Sequence, residues 1–394
     1  MNNSLQKKIA FVAYDLNPTK GSECGKADLW LKIISRHFEV IAFIDQRHED
    51  DIMKEKYENV SFSFINLPHW QQKLSDKTNF VSIANFTFTQ KVKKILSNYS
   101  DISLIHCITP AGIHSFNSLY TLNIPVIVGP LGGALNLPKG FRFKTGISTS
   151  LLRTIYYFLI KFLPQWRNYL LHASTILIGT ENLRNKLPDQ CRSRAQIFFD
   201  TAVNPNIFVP SEQKTNKVTI CYIARLESHK GIKLFLRACQ SLLQEYDNIE
   251  LIIAGAGSLS HSIPLNNLKI RYLGPIPREE VVAILQKSDI YCLPTLREPG
   301  GVSILEAMSC ALPVVTTNYG GPAISVTDEC GYKIEPLNET YYIEQLQIIL
   351  KKLIENAELR KKMGLAGRKR VEMEFSPEAI EKKIIKIYEE TLIS

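Results

Sequence analysis

The sequence predicts an α/β protein of two successive domains, each a parallel sheet with helices on both faces. Three observations predict it. The chain has 394 residues, too long for one compact core at about 150 residues per domain. Short apolar runs alternate with helix-period segments, the pattern of parallel sheets rather than hairpins. One polar, turn-rich stretch, residues 200–217, interrupts that alternation and reads as a hinge. A composition of 45% hydrophobic and 22% charged residues excludes a disordered, collagenous or coiled-coil chain.

The first series of strands runs Lys8–Tyr14, Glu39–Ile44, Ser61–Ile65, Leu104–Ile108, Pro125–Val128, Ile176–Gly179 and Ile197–Phe199. A second begins afresh at Val218–Ala224 and continues with Glu250–Ala254, Ile270–Leu273, Ile290–Leu293, Pro313–Thr316 and Tyr332–Ile334. Helices are expected between them. Apolar residues at 232, 234, 235, 238, 239 and 242 share one helical face; Ala27–Ser35, Arg278–Gln286, Val302–Cys310 and Tyr341–Glu355 read similarly. The expected organisation is a first domain over 1–199, the hinge over 200–217, a second domain over 218–375 and a C-terminal helix over 376–394.

Charge separates the halves. Residues 1–200 hold 24 basic and 15 acidic side chains, residues 201–394 hold 23 of each, and the net charge is +9. Residues 102–180 contain no Asp or Glu but carry Lys139, Arg142, Lys144, Arg153, Lys161 and Arg167. Such a surface suits phosphates or an anionic lipid face; buried strands, which carry few charges, give the same reading. Leu151–Leu171 is the most membrane-like stretch, but Arg153, Lys161, Pro164 and Arg167 interrupt it, so it does not span a bilayer. Its aromatics (Tyr156, Tyr157, Phe158, Phe162, Trp166 and Tyr169) fit a helix on the interface, a helix packed into its own domain, or a mixture. No export signal is evident: Asp15 stops the apolar run after Lys7-Lys8. The eight cysteines form no C-x-x-C pair and the eight histidines no metal-ligand spacing, so reduced, cytoplasmic thiols and no metal site are expected.

Chemistry is sought where strands lead into helices. After Val218–Ala224 comes Arg225-Leu226-Glu227-Ser228-His229-Lys230-Gly231, two cations flanking a loop at a helix N-terminus. Such a site favours an anion, a diphosphate above all; a salt bridge from a cation to Glu227 is the structural alternative. After Ile290–Leu293 comes Glu298-Pro299-Gly300-Gly301-Val302-Ser303-Ile304-Leu305-Glu306. Glu298 lies on the loop and Glu306 about a turn into the helix. Each carboxylate accepts two hydrogen bonds, which suits a vicinal diol; two exposed helix-end glutamates are the alternative. Gly21-Ser22 after the first strand could turn main-chain N–H groups toward a phosphate or form a bare turn. Gly129-Pro130-Leu131-Gly132-Gly133 suggests close backbone approach. Gly255-Ala256-Gly257 lacks the third glycine of a dinucleotide fingerprint, and no P-loop is present.

The order of these parts strongly resembles the family-four retaining glycosyltransferases of GT-B fold. Arg225 with Lys230 comes first, then Gly255-Ala256-Gly257, Gly274, Pro294, Glu298 and the run from Glu306 to Val315, with Gly320-Gly321-Pro322 through Tyr332 behind. The resemblance covers nearly all of residues 218–375. In the first half it is looser, and there Gly21-Ser22-Glu23 and Gly129–Gly133 resemble a branch acting in bacterial surface polysaccharide assembly.

The resemblance implies two Rossmann-like domains with parallel sheets facing a central cleft, and a C-terminal helix crossing back to the first domain. It implies a hexosyltransferase that moves a sugar, with retention, from a nucleotide-sugar donor to a hydroxyl of a glycan or polyprenyl-diphosphate-linked acceptor. No cofactor or divalent metal is needed. Arg225 and Lys230 would bind the diphosphate and stabilise the leaving charge. Glu298 would contact the donor sugar beside backbone groups of Gly300, Gly301 and Val302, and Arg225, Lys230 and Glu298 would be the catalytic residues. Glu306 would take the ribose hydroxyls, Gly274 and Ile276 would line the base, and Gly21 and Ser22 would close over the phosphates. A cytoplasmic protein, peripheral at the inner face of the plasma membrane, follows. Three departures stand out. Gly129-Pro130 occupies the place where many relatives carry a histidine, leaving His106 and His114 as the nearby candidates. Ala311 stands where relatives usually have glycine, a change expected to be mild. Pro299 is uncommon beside the first glutamate. Two other readings are a non-hydrolysing nucleotide-sugar epimerase of the same fold and a non-catalytic, membrane-associated nucleotide-binding protein. Nucleic acid is not an expected partner, since no module for it is present.

Overall fold

The computed structural model describes residues 7–19, 23–71, 81–113, 115–132, 135–144, 162, 164–211 and 217–393. Two compact units emerge. One comprises the described parts of Met1–Ala134, Gly146–Asp200 and Glu381–Ser394, the other those of Leu135–Thr145 and Thr201–Ile380.

The first unit is a seven-stranded parallel sheet of order β3-β2-β1-β4-β5-β6-β7. Its strands are β1 (Lys8–Ala13), β2 (Glu39–Asp45), β3 (Val60–Ile65), β4 (Ile102–Thr109), β5 (Val126–Leu131), β6 (Thr175–Ile178) and β7 (Ala195–Ile197). The central strands are buried on both faces, which is why they read as continuous apolar runs rather than alternations. The last strand starts two residues earlier than Ile197–Phe199. Phe198 still donates its N–H to Ile178 (2.9 Å) while leaving the ladder. Helices α1 (Glu23–Ile34), α2 (Val81–Leu96) and α3 (Pro164–Leu171) belong to this unit. On α3, Trp166 and Tyr169 are core residues, and the Trp166 Nε1–H donates to Ile113 O (2.8 Å). That part of the suspected interfacial stretch is therefore packed inward; Tyr156, Tyr157 and Phe158 lie outside the described residues.

The second unit has six parallel strands in the order β10-β9-β8-β11-β12-β13. They are β8 (Val218–Ile223), β9 (Ile249–Ala254), β10 (Ile270–Gly274), β11 (Ile290–Leu293), β12 (Val314–Thr317) and β13 (Gly331–Ile334). Helices α4 (Ile232–Glu245), α5 (Arg278–Gln286), α6 (Val302–Ser309), α7 (Glu339–Glu355) and α8 (Ala357–Arg370) accompany them. The expected apolar face of α4 is buried from Ile232 to Leu243. Asn338 and Asn356 cap α7 and α8 by accepting N–H bonds from Tyr341 (2.9 Å) and Leu359 (2.8 Å). Residues 135–144 also belong here. Gly140 lies so close to α7 that a Cβ would fall 1.7 Å from Leu337 O, and Phe141 meets Tyr342 edge-on.

The final helix, α9 (Pro377–Ile393), starts with Ser376 accepting from Ala379 N–H (3.1 Å) and proline in its first turn. From Glu381 onward it clusters with the first unit. Ile384, Ile387, Tyr388 and Thr391 make its buried face. Glu381 bonds Arg36 (3.0 Å) and His37 (2.8 Å), and Thr391 Oγ1 meets Thr175 Oγ1 (2.9 Å).

Candidate functional site

In a sheet of this order the connections reverse direction beside the first strand, and ligands bind at the carboxyl ends of the strands flanking that reversal. In the second unit these strands are β8 and β11. The two charged junctions singled out in the sequence leave their carboxyl ends.

The loop after β8 is built to hold its shape. Gly231 ends it at φ +77°, and a Cβ there would stand 1.9 Å from Pro294 O. A side chain is therefore excluded both by conformation and by space. His229 O accepts from Leu296 N–H (2.8 Å) and from the Thr295 hydroxyl (3.2 Å). Tyr222 donates its hydroxyl to Lys230 O (3.1 Å). The backbone carrying the cations is thus tied to the loop after β11 before any ligand arrives.

Lys230 and Glu298 are brought together. Their side chains form an ion pair at 14% and 13% exposure. The other Glu298 oxygen accepts from Gly301 N–H (3.0 Å) and Gly300 N–H (3.3 Å), so the carboxylate rests on the N-terminus of α6. Its main chain is fixed too, with Gly321 N–H donating to Glu298 O (2.8 Å). A Cβ on Gly320 would lie 2.5 Å from that same oxygen, and one on Gly321 2.4 Å from Pro299 O. Here is the physical reason for the Gly320-Gly321-Pro322 run: it is the floor beneath the Glu298 loop.

Arg225 is exposed, and among the described residues no hydrogen bond or ion pair of its side chain holds it. The alternative partner, Glu227, is engaged elsewhere. Its carboxylate accepts from Ser258 N–H (3.2 Å) and Oγ–H (2.7 Å), bonds that keep it below the usual carboxylate range. Half-buried His229 lies among Arg297, Lys230 and Arg225; burial and these charges lower its pKa. The rim of the loop is therefore cationic and holds a neutral imidazole.

Glu306 projects from α6 with 8% of its side chain exposed, and Arg278 Nη2 lies 3.4 Å from its Oε1. Burial pushes this carboxyl up, and the Arg278 charge offsets only part of that. Nothing in the spacing signalled Arg278; the only available clue was that a buried acid needs a cation. Gly274, at φ +67°, has open space where a side chain would stand. Ile276 is half-buried and Val302 exposed. Gly21, Ser22 and His114 lie outside the described residues.

The other glycine junctions serve the fold. A Cβ on Gly129 would fall 2.5 Å from Leu177 O, and one on Gly255 1.9 Å from Ala224 O; the close approaches are to neighbouring strands. His106 is a fully buried packing residue. Its Nε2 bonds Gly129 O (2.6 Å), its Nδ1 meets the Tyr388 hydroxyl, and burial lowers its pKa to about 4. Ala311 sits at φ +57°, a conformation in which an alanine costs more than helix propensity suggests.

Residues 203–370 match the family described as glycosyl transferases group 1. This part of the chain belongs to that family. The group 1 domain so defined carries Arg225, Lys230, Glu298 and Glu306. Among curated relatives, a D-inositol 3-phosphate glycosyltransferase of Corynebacterium diphtheriae is 25% identical over 42% of this chain and 43% of its own. A capsular polysaccharide biosynthesis glycosyltransferase of Staphylococcus aureus, CapM, is 29% identical over 45% of this chain and 48% of its own. The chain thus spans less than half the length of these relatives. The whole chain superimposes on a sucrose-phosphate synthase from Thermosynechococcus elongatus, with a TM-score of 0.64 at 16% identity over 98% of each chain. The fold is GT-B, carried by parallel sheets of seven and six strands. Among the described residues no helix is long and apolar enough to cross a membrane.

Proposed function

We propose that the chain is a retaining hexosyltransferase. Its second unit holds a nucleotide-sugar donor, and its first unit presents a hydroxyl of a glycan or polyprenyl-diphosphate-linked acceptor. The single observation carrying this reading is the pairing at the β8/β11 reversal of Lys230 with Glu298, beside a helix N-terminus and an Arg225 unpaired among the described residues. As the sugar–phosphate bond breaks, negative charge grows on the diphosphate. Arg225 and Lys230 meet that charge as it develops. Because these side chains supply the neutralisation, the reaction asks for no metal ion and no cofactor. Glu298, already held by two backbone N–H groups, accepts from donor-sugar hydroxyls beside Gly300, Gly301 and Val302. Glu306 accepts from the ribose diol, and the base lies by Gly274 and Ile276. Retention follows if the acceptor hydroxyl enters on the face the diphosphate leaves.

The likeness to CapM supports a role in cell-surface polysaccharide assembly. The cationic first 200 residues support a cytoplasmic protein held peripherally at the inner face of the plasma membrane. The test begins with thermal shift against nucleoside diphosphates and nucleotide sugars, since a selective ligand raises apparent stability. The selected donor is then incubated with and without lipid-linked acceptors. Transfer to acceptor with an unchanged anomeric configuration, read by NMR, is the expected result. Conversion of the donor with no acceptor present would instead identify an epimerase. Tight nucleotide binding without turnover across the acceptor panel would identify a binding protein.

A further inference from the structure

The Glu306 carboxylate is buried, yet Arg278 is its one hydrogen-bonding partner among the described residues, at a long 3.4 Å. Arg278 itself is 73% exposed and opens α5 directly after the Gly274–Pro277 turn. Those two facts pull in opposite directions. A carboxylate removed from water requires compensation, and without it the group takes up a proton. A single long bond to a mostly exposed guanidinium is weak, so it is easily exchanged for better ones. A pair of this kind keeps an acid charged without occupying it.

We propose that Arg278 is a positioning residue of the nucleotide site: it keeps Glu306 ionised and oriented in the empty site and gives way when a ribose diol arrives. The proposal rests on the assignment of Glu306 to the ribose made above. The chemistry explains why ionisation matters. A charged carboxylate accepts from both hydroxyls of a 2′,3′-diol, whereas a protonated one must spend an oxygen as donor. The guanidinium carries five N–H donors, so leaving one acceptor does not strand it; its side chain is already 73% exposed. Besides Arg278 on α5, the titratable group facing Glu306 is the Tyr291 phenol on β11. That phenol donates to Ile223 O (3.1 Å) and burial holds it neutral, so it supplies no charge.

The experiment is calorimetric titration of the full chain with UDP and GDP, and with their 2′-deoxy counterparts, from pH 5 to 8.5. In Arg278→Ala the affinity for the ribonucleotide falls about tenfold near pH 6, as expected where a nearby cation no longer lowers a carboxyl. It returns close to the parent value at high pH, and Arg278→Lys restores most of the loss. The 2′-deoxynucleotide shows a smaller change. Titration of the diphosphate and of His229 is common to all variants and cancels in the comparison. A pH profile of Arg278→Ala that matches the parent overturns the proposal. So does a uniform loss at every pH, which would make Arg278 a direct ligand contact. Glu306→Ala separates the two layers. If it binds UDP and GDP as tightly as the parent, the ribose assignment itself is wrong; if it binds weakly while Arg278→Ala keeps the parent profile, only the role of Arg278 falls.

Discussion

The two units share a strand order around their first strands yet finish it with different chemistry. In the first, the reversal lies between β1 and β4, and among the described residues its acids find partners within the unit. Asp15 is ion-paired with Arg47 and bonded to His48 (3.2 Å); burial would raise its carboxyl, but these partners outweigh that and lower it. Glu23 accepts from Ala111 N–H, and Asn17 Nδ2 donates to Asp51 (2.8 Å). The cavity beside this junction, lined by Thr89, Cys107, Asn117 and Tyr169 among others, has a volume of about 10 Å³, room for one water molecule. In the second unit, the β8/β11 reversal leaves Arg225 unpaired among the described residues, crowds cations around His229 and gives Glu306 one long bond there. Topology decides where a crevice opens. The residual charge imbalance decides what it attracts, and among the described residues the second crevice is the one that calls for an anion.

The contrast is tested most severely by a matched pair of cation deletions. Lys230→Ala should lower turnover about a hundredfold, roughly 3 kcal/mol of transition-state stabilisation, with the fold kept. Arg225→Ala should act in the same direction. Arg47→Ala strips a charge from the loop after β2, where Arg47 pairs with Asp15 of the loop after β1. It should cost about 2 kcal/mol of stability, because Asp15 loses its counter-charge, while turnover per folded molecule changes only a few-fold. Thermal denaturation and steady-state rates measured together decide it. Near-normal turnover in both Lys230→Ala and Arg225→Ala would remove the anion-binding role. A hundredfold loss in Arg47→Ala would show that the first junction is not internally satisfied.

A second difference lies in the histidines. His229 is half-buried at the rim of its loop, whereas His106 is sealed between Gly129 O and the Tyr388 hydroxyl with its pKa lowered to about 4. In the unfolded chain a histidine titrates near 6.5. The unfolded state therefore binds more protons between these values, and stability is full above about pH 6.5 and falls as pH drops toward 4. The loss attributable to this one group is on the order of 3 kcal/mol. Urea midpoints measured across that window should show it. In His106→Gln, which keeps a polar group but does not titrate, the overall stability is lower and the slope against pH is shallower. An unchanged slope would mean that His106 is not the group responsible.

The central strands were legible because a parallel strand buried on both faces is mostly apolar, as β1, β5 and β11 are; the outer strands β3 and β7 carry polar residues and are partly exposed, so their signal was weaker. Charged loops at strand ends were equally legible, as Arg225 and Lys230 illustrate. Partners distant in sequence were not. Arg278 lies 28 residues before Glu306, and neither helix's periodicity links them. The pairing of the Gly320-Gly321 floor with the Glu298 loop is similar: the glycines are visible, but what presses on them is tertiary. Residues 135–144 follow β5 in the chain, yet Gly140 docks on Leu337, and no local pattern encodes that address. Trp166 and Tyr169 mix with cations in sequence as an interfacial helix would. Only packing shows that they face the core.

The smallest predicted effect concerns the end of α6, where the second unit departs from an otherwise well-satisfied pattern. Leu312 N–H bonds Ala307 O (3.0 Å) and Ala311 N–H bonds Met308 O (3.0 Å). This is the paired closure that ends many helices and that calls for glycine at the left-handed position. Here that position is Ala311, at φ +57°. The strain is confined by packing, because Gly364 of α8 lies against it; a Cβ on Gly364 would fall 2.0 Å from Ala311 O. Ala311→Gly relieves about 1–2 kcal/mol of left-handed strain but returns up to about 1 kcal/mol through the freer unfolded chain. The net gain should be within about 1 kcal/mol, read as a small rise in urea midpoint at constant slope. Although α6 carries Glu306 and starts just after the Gly300 and Gly301 amides that hold Glu298, nucleotide affinity should stay at the parent value. A gain in stability accompanied by weaker nucleotide binding would mean that the strained turn tunes the site rather than merely ending the helix.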